Sequence, residues 1–169
     1  MALAPLPHAT RSQVFSALLT KMQAVPATTI PGATVWKTVS SNLVIWDQVV
    51  AVNQPAMFLH RGPQTSEQKH VFGVIKQQWR ASIWVYFRTD GFKTTNTYPD
   101  MITDQLLDAF EQAFQTDPLN GRLTLGTFVN SLGRTQDICW HCWIDGTVFF
   151  DTGVTDNQAV IVIPISILV

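Results

Sequence analysis

Cys139-Trp140-His141-Cys142 is the one stretch of this sequence where metal-ligating and redox-capable side chains stand together. A C-x-x-C pair can hold zinc or run a dithiol–disulfide couple. Structural zinc needs four ligands, usually from two such pairs. No second pair exists here, and His8, His60 and His70 are scattered in no ligand spacing. A redox C-x-x-C normally opens a helix, whereas Trp140, Trp143, Ile144, Val148, Phe149 and Phe150 give this segment strand character. On a strand, residues three apart point to opposite faces. Cys139 and Cys142 are therefore read as structural thiols, with no metal, no cofactor and no disulfide framework.

The other candidate chemistries are weaker. Six Trp and ten Phe could build a platform for a sugar or another apolar ligand. Yet Trp36, Trp46, Trp79, Trp84, Trp140 and Trp143 mostly fall in strand-like runs, where large aromatics belong to a core or an interface. Asp104, Asp108 and Glu111 share helical spacing on the side opposite Leu106 and Phe110, which makes a solvated face. Asp145, Asp151 and Asp156 sit in turn-like sequence. No G-x-S-x-G elbow and no phosphate-cradling glycine loop is present. The sequence names no catalytic residue, and the chain reads as a non-enzyme.

Composition narrows the classes further. Hydrophobic residues make up 46% and charged residues 14% of 169, against about 25% charged in an ordinary domain. A surface so poor in charge fits a subunit that hides much of itself in an assembly. Net charge is -1, and the largest basic grouping is the loose set Lys69, His70, Lys76 and Arg80. Binding to nucleic acid rests on many phosphate contacts, so it is excluded as the main activity. Met1 to Pro7 has neither the basic nor the apolar part of a signal peptide. The longest apolar stretch, Ala159 to Val169, is broken by Pro164 and Ser166 and falls short of the about 18–20 residues of a membrane helix.

The elements follow from periodicity. Thr10 with Gln13 makes a capping box, Val14, Leu18 and Met22 continue at helical spacing beside Phe15 and Leu19, and Pro26 ends the helix. Val35 to Val39 alternates as a short strand. Asn42 to Val52 slightly favours helix, and Pro55 to His60 reads as a strand. Arg61 to Lys69 is polar and turn-like. Two strands follow, one around Val71, Gly73, Ile75 and Gln77, the other Ser82 to Arg88, with a loop at Thr94 to Pro99. A second helix runs from Pro99 or Asp100 to about Gln115, burying Ile102, Leu106, Ala109, Phe110 and Ala113. Leu123 to Leu132, Cys139 to Phe149 and Gln158 to Val169 read as strands, with a turn or bulge at Asp145-Gly146. The last is apolar on both faces, and Pro164 in it suggests a sheet edge or a bulge. The expected fold is α+β: residues 1–169 form one domain, a mainly antiparallel, mixed sheet packed by two helices.

In this order, the segments resemble the tail terminator (minor tail, tail completion) proteins of long-tailed bacteriophages over nearly the whole chain. The resemblance is carried by the helix Thr10 to Leu19, then Val39-Ser40-Ser41, Trp46-Asp47-Gln48-Val49 and Gln54-Pro55-Ala56-Met57-Phe58-Leu59. It continues through Trp84-Val85-Tyr86, the helix Leu106 to Phe114, Leu123-Thr124-Leu125-Gly126, and the closing strand with Ile163-Pro164-Ile165. An Arg common in that family after the Val-Ser element is replaced here by Ser41-Asn42. The resemblance implies a structural virion protein at the head-proximal end of the tail, assembled in the host cytoplasm. Six copies would close into a ring on the last ring of tail tube protein, end its polymerisation and receive the head–tail connector. Such a family has no catalytic residues to carry over.

Within that picture, the polar segment Arg61 to Lys69 is expected to be mobile in the free subunit. It would order against the tube or the connector, with Glu67, Gln68 and Lys69 as the contacts. Two alternatives stay open: a head–tail connector or neck protein (or the equivalent part of a gene transfer agent), and, in a different class, a monomeric aromatic ligand-binding module.

Overall fold

A computed structural model of the chain describes residues 9–62, 67–71, 74–90, 99–153 and 157–169, with the backbone only at 67–71 and 74–76. Helix α1 (Arg11–Gln23) starts as its capping box demands. The Gln13 amide donates to Thr10 Oγ1 (3.3 Å), and the Thr10 amide donates to Gln13 Oε1 (2.8 Å). Two of the four orphan amides of a helix start are thereby satisfied. The helix stops two residues short of Pro26 and buries Val14, Phe15, Leu18 and Met22. Helix α2 (Pro99–Ala113) buries Ile102, Thr103, Leu106 and Phe110 and leaves Asp104, Asp108 and Glu111 in solvent.

The main sheet has seven strands: β1 (Thr38–Ser40), β2 (Ala56–Arg61), β3 (Glu67–Val71), β4 (Val74–Arg88), β7 (His141–Ile144), β8 (Phe149–Asp151) and β9 (Gln158–Leu168). Its order is β1-β2-β4-β9-β7, with β3 added to β4 and β8 added to β9. Only β1 and β2 run parallel; every other pairing is antiparallel. Gln78 pairs with Glu67 on one side and Leu168 on the other, so β3 lies on the β2 side of β4 and prolongs the sheet past the end of β2. A second, two-stranded sheet, β5 (Thr127–Val129) with β6 (Thr135–Asp137), stands apart from it. The chain is α+β, with a mainly antiparallel mixed sheet and two helices.

Alternation assigns the sheet two faces. On the first, Met57 and Leu59 of β2, Ile83, Val85 and Phe87 of β4, and Ile161, Ile163, Ile165 and Ile167 of β9 pack against the apolar stripes of α1 and α2. The second face is covered in part by residues 43–53. There Leu43, Val44 and Val49 pack on Ala56, Phe58, Trp84, Tyr86 and Val160.

Several expectations are corrected. Asn42 to Val52 does not form an α-helix; it makes two short 3-10 turns, Trp46–Gln48 and Ala51–Asn53, because its apolar residues must reach down to the sheet at Val49 rather than line one helical stripe. The two strands read at Val71 to Gln77 and Ser82 to Arg88 are replaced by the end of β3 and one 15-residue strand, β4. The polar run Gln77 to Arg80 concealed this, although β3 pairs with Gln77 and Gln78 and β9 with Gln78 to Arg80. Arg61 to Lys69 is not a single loop. Arg61 closes β2 and Glu67 opens β3, while 63–66 lie outside the described residues, as do 1–8 and 91–98. Leu123 to Leu132 keeps a strand only at Thr127–Val129, and Cys139 to Phe149 is cut at Asp145-Gly146 into β7 and the start of β8.

Pro164 does not lie on an edge strand. β9 is flanked by β4 on one side and by β7 and β8 on the other. The carbonyl of Pro164 accepts from the Asp145 amide (3.0 Å), so its side lacking an N–H faces the break between β7 and β8, where no ladder donor is called for. Gly146, at φ 113°, turns the chain there, and a Cβ on it would sit 3.5 Å from the Pro164 ring.

Candidate functional site

Glu67, Gln68 and Lys69 occupy the first three positions of β3, paired with Gln78, Gln77 and Lys76 of β4. They therefore stand on the part of the sheet that projects past β2, together with one another as predicted but in a strand instead of a loop.

Cys139 and Cys142 come together in a way the spacing did not suggest. Only Cys142 lies in a strand; Cys139 precedes β7, and the bend between them turns both into the same core beneath α1 and α2. Both are free thiols. Burial pushes the Cys139 thiol up to about 12 and raises Cys142 well above its ordinary value, so neither is a ready nucleophile. Among the described residues, no group of three or more His, Cys, Asp or Glu is placed to hold a metal ion.

The neighbours of these cysteines form a more structured cluster. Residues 123–126 run along the outer side of 138–142. The Ile138, Cys139 and Cys142 amides donate to the carbonyls of Gly126 (2.9 Å), Thr124 (3.2 Å) and Leu123 (2.9 Å). The Leu123 amide in turn donates to His141 Nδ1 (3.1 Å). The His141 ring stacks on Trp143 with centroids 4.9 Å apart, and the Arg122 guanidinium lies 4.0 Å from the centroid of Trp140. Burial first, and the positive charge of Arg122 second, lower the pKa of His141 below 6.5.

The aromatic residues divide by face. Trp79 is buried against Phe15 (6.2 Å, stacked). Trp36 donates its indole N–H to the Val25 carbonyl (2.7 Å) beside a hollow of about 340 Å³ lined by Pro26, Val35 and Val39. On the second face, pairing lines up Phe58, Trp84, Val162 and Phe149 across β2, β4, β9 and β8. That row runs from a buried ring at Phe58 to an exposed one at Phe149, which is 60% exposed. Its neighbour Phe150, on the other face of β8, is 54% exposed.

The segment 43–53 adds to this surface. It is held down by a pair of buried amides. Gln158 donates to the Trp46 carbonyl (2.9 Å), and Gln54 donates to the Val49 carbonyl (2.9 Å) and to Gln158 Oε1 (2.8 Å). This bridge spans 104 residues of sequence, and no local pattern announces it. With its inner side fixed, the segment turns Ile45, Trp46, Val50 and Val52 outward, all exposed. The exposed large apolar side chains of this part of the molecule thus come from the outside of 43–53 and from the short strand β8. Sequence reasoning placed Trp46 in a core or interface without separating the two, and read Phe149 only as part of a strand. No protein-family model matches the chain, and a search of curated proteins finds no match either.

Proposed function

We propose that this chain is a structural subunit of a bacteriophage tail, one of six copies in a ring that ends the tail tube and meets the head–tail connector. One observation carries the reading: Ile45, Trp46, Val50 and Val52 on the outside of 43–53 and Phe149 on the second sheet face stand in solvent, and so does Phe150 on the opposite face of β8. Isolated exposed apolar side chains are ordinary, but clusters of large ones mark surfaces that another protein covers. The low charged fraction of 14% and the resemblance of the order of segments to that of tail terminator proteins support the same conclusion. A head-to-tail contact whose rotation closes would bury this surface on every subunit. In this reading the chain is no enzyme, binds no cofactor, membrane or specific nucleic acid sequence, and works in the virion after assembly in the host cytoplasm. A neck or connector subunit, or its equivalent in a gene transfer agent, could use the same surface but would not stop tube growth.

The test is polymerisation of the cognate tail tube protein with and without this chain. Tubes of limited length with this protein at one end only are expected by electron microscopy. Tubes that grow to the same length and carry none of it would overturn the proposal.

A further inference from the structure

The β5–β6 arm joins the body through a short base, residues 122–126 laid along 138–142, and through Phe128, which packs against the core. Three hydrogen bonds there are backbone to backbone, and a fourth runs from the Cys139 thiol to the Leu123 carbonyl (3.7 Å). The fifth depends on a titratable ring, because the Leu123 amide donates to His141 Nδ1. A backbone amide can only donate, so Nδ1 must carry its lone pair and the ring proton must sit on Nε2. Protonating Nδ1 would set two donors against each other, with the Arg122 cation beside them. Leu125 adds local strain, since it holds φ 59° in the left-handed region without being glycine. Beyond the base, the arm carries Val129 and Leu132, both largely exposed.

We propose that His141 is a pH-operated latch for the β5–β6 arm, closed when the imidazole is neutral and open when it is protonated. The inference goes beyond the ring assignment and does not depend on it. The charged groups set around His141 are few. Arg122 comes from the segment after α2, and Asp137 at the end of β6 lies 3.8 Å from Arg122 Nη2. Asp145 follows β7 and accepts from Ser166 Oγ (2.6 Å). Arg80 stands two register rows away on β4, and Glu67 shares by register the row Gln78, Leu168, His141. Lys21 acts on Cys142 from the α1 side. No carboxylate bonds to the ring in the described structure, so no partner rewards the imidazolium. The sign follows from a lowered folded value. The latch contributes stability above the ordinary histidine pKa of 6.5, and that contribution disappears as pH falls through the folded value.

The experiment is amide hydrogen exchange by NMR on the full chain from neutral to acid pH, corrected for intrinsic rates, with the His141 ring titrated in parallel. In the parent protein, protection of the Leu123 amide should fall roughly tenfold across the His141 titration, the scale of one hydrogen bond lost. His141→Asn offers Oδ1 near the Nδ1 position without titrating, so its Leu123 protection should stay level over the same range. His141→Ala should show the acid level of protection at every pH. The proposal is overturned if Leu123 protection is level while His141 titrates, or if His141→Asn loses protection with pH as the parent does.

Discussion

Cys139 and Cys142 show how far residue types alone carry. Their spacing announces zinc or redox chemistry, and the surroundings remove the means for it. Both thiols are buried among apolar side chains, and desolvation holds the thiolate out of reach at neutral pH. We predict that neither thiol reacts with iodoacetamide at pH 8 in the folded protein, while both react after unfolding in guanidinium. Stoichiometric labelling of the folded chain would contradict this. That no second pair of ligands accompanies them could be read from the sequence. That both side chains enter one core could not, because the reading assumed a continuous strand and Cys139 lies before it. His141 gave no signal at all: its partner, the Leu123 amide, belongs to a segment whose course along 138–142 is fixed by tertiary pairing alone.

Among the elements, β9 decides the fold. Every residue from Gln158 to Leu168 pairs with β4, and Ile161, Ile163, Ile165 and Ile167 are at most 1% exposed. Each such burial is worth about 1.5–3 kcal/mol, against a total domain stability of about 5–15 kcal/mol. Ile163→Lys places a charge in the first-face core, so circular dichroism should show an unfolded or aggregated chain, as it should for a chain cut after Asn157. Val162→Lys lies on the half-exposed second face and should leave the fold intact. If Ile163→Lys folds as well as Val162→Lys does, the assignment of the two faces is wrong. The two-sided apolar pattern of β9 implies a strand covered on both faces or paired across a subunit contact. It did not tell where Pro164 would sit, since the break between β7 and β8 that accommodates it arises from Gly146 on another strand. Helices α1 and α2 were readable nearly to the residue, because caps and 3.6-residue stripes are local signals. The 3-10 turns of 43–53 were not, because two glutamines far apart in sequence hold them.

For the whole molecule, the apolar surface matters more than any cavity. Its members come from the outside of 43–53, which the sequence slightly favours as helix, and from β8, which it reads as the end of a strand. Burial on the sheet separates core from surface: Phe58 and Tyr86 are inside, whereas Trp46, Phe149 and Phe150 are left outside. Glu67, Gln68 and Lys69 belong instead to the projecting β3–β4 end, a second place where a ring could meet the tube or the connector. Native mass spectrometry of the purified full chain, run beside the Phe149→Lys/Phe150→Lys double variant, tests the central claim most directly. The account predicts a closed assembly of six copies of an 18.9-kDa chain, about 113 kDa, for the parent, and a folded monomer for the variant. A parent chain that stays at 18.9 kDa at every concentration, or a variant that still forms the ring, would contradict it.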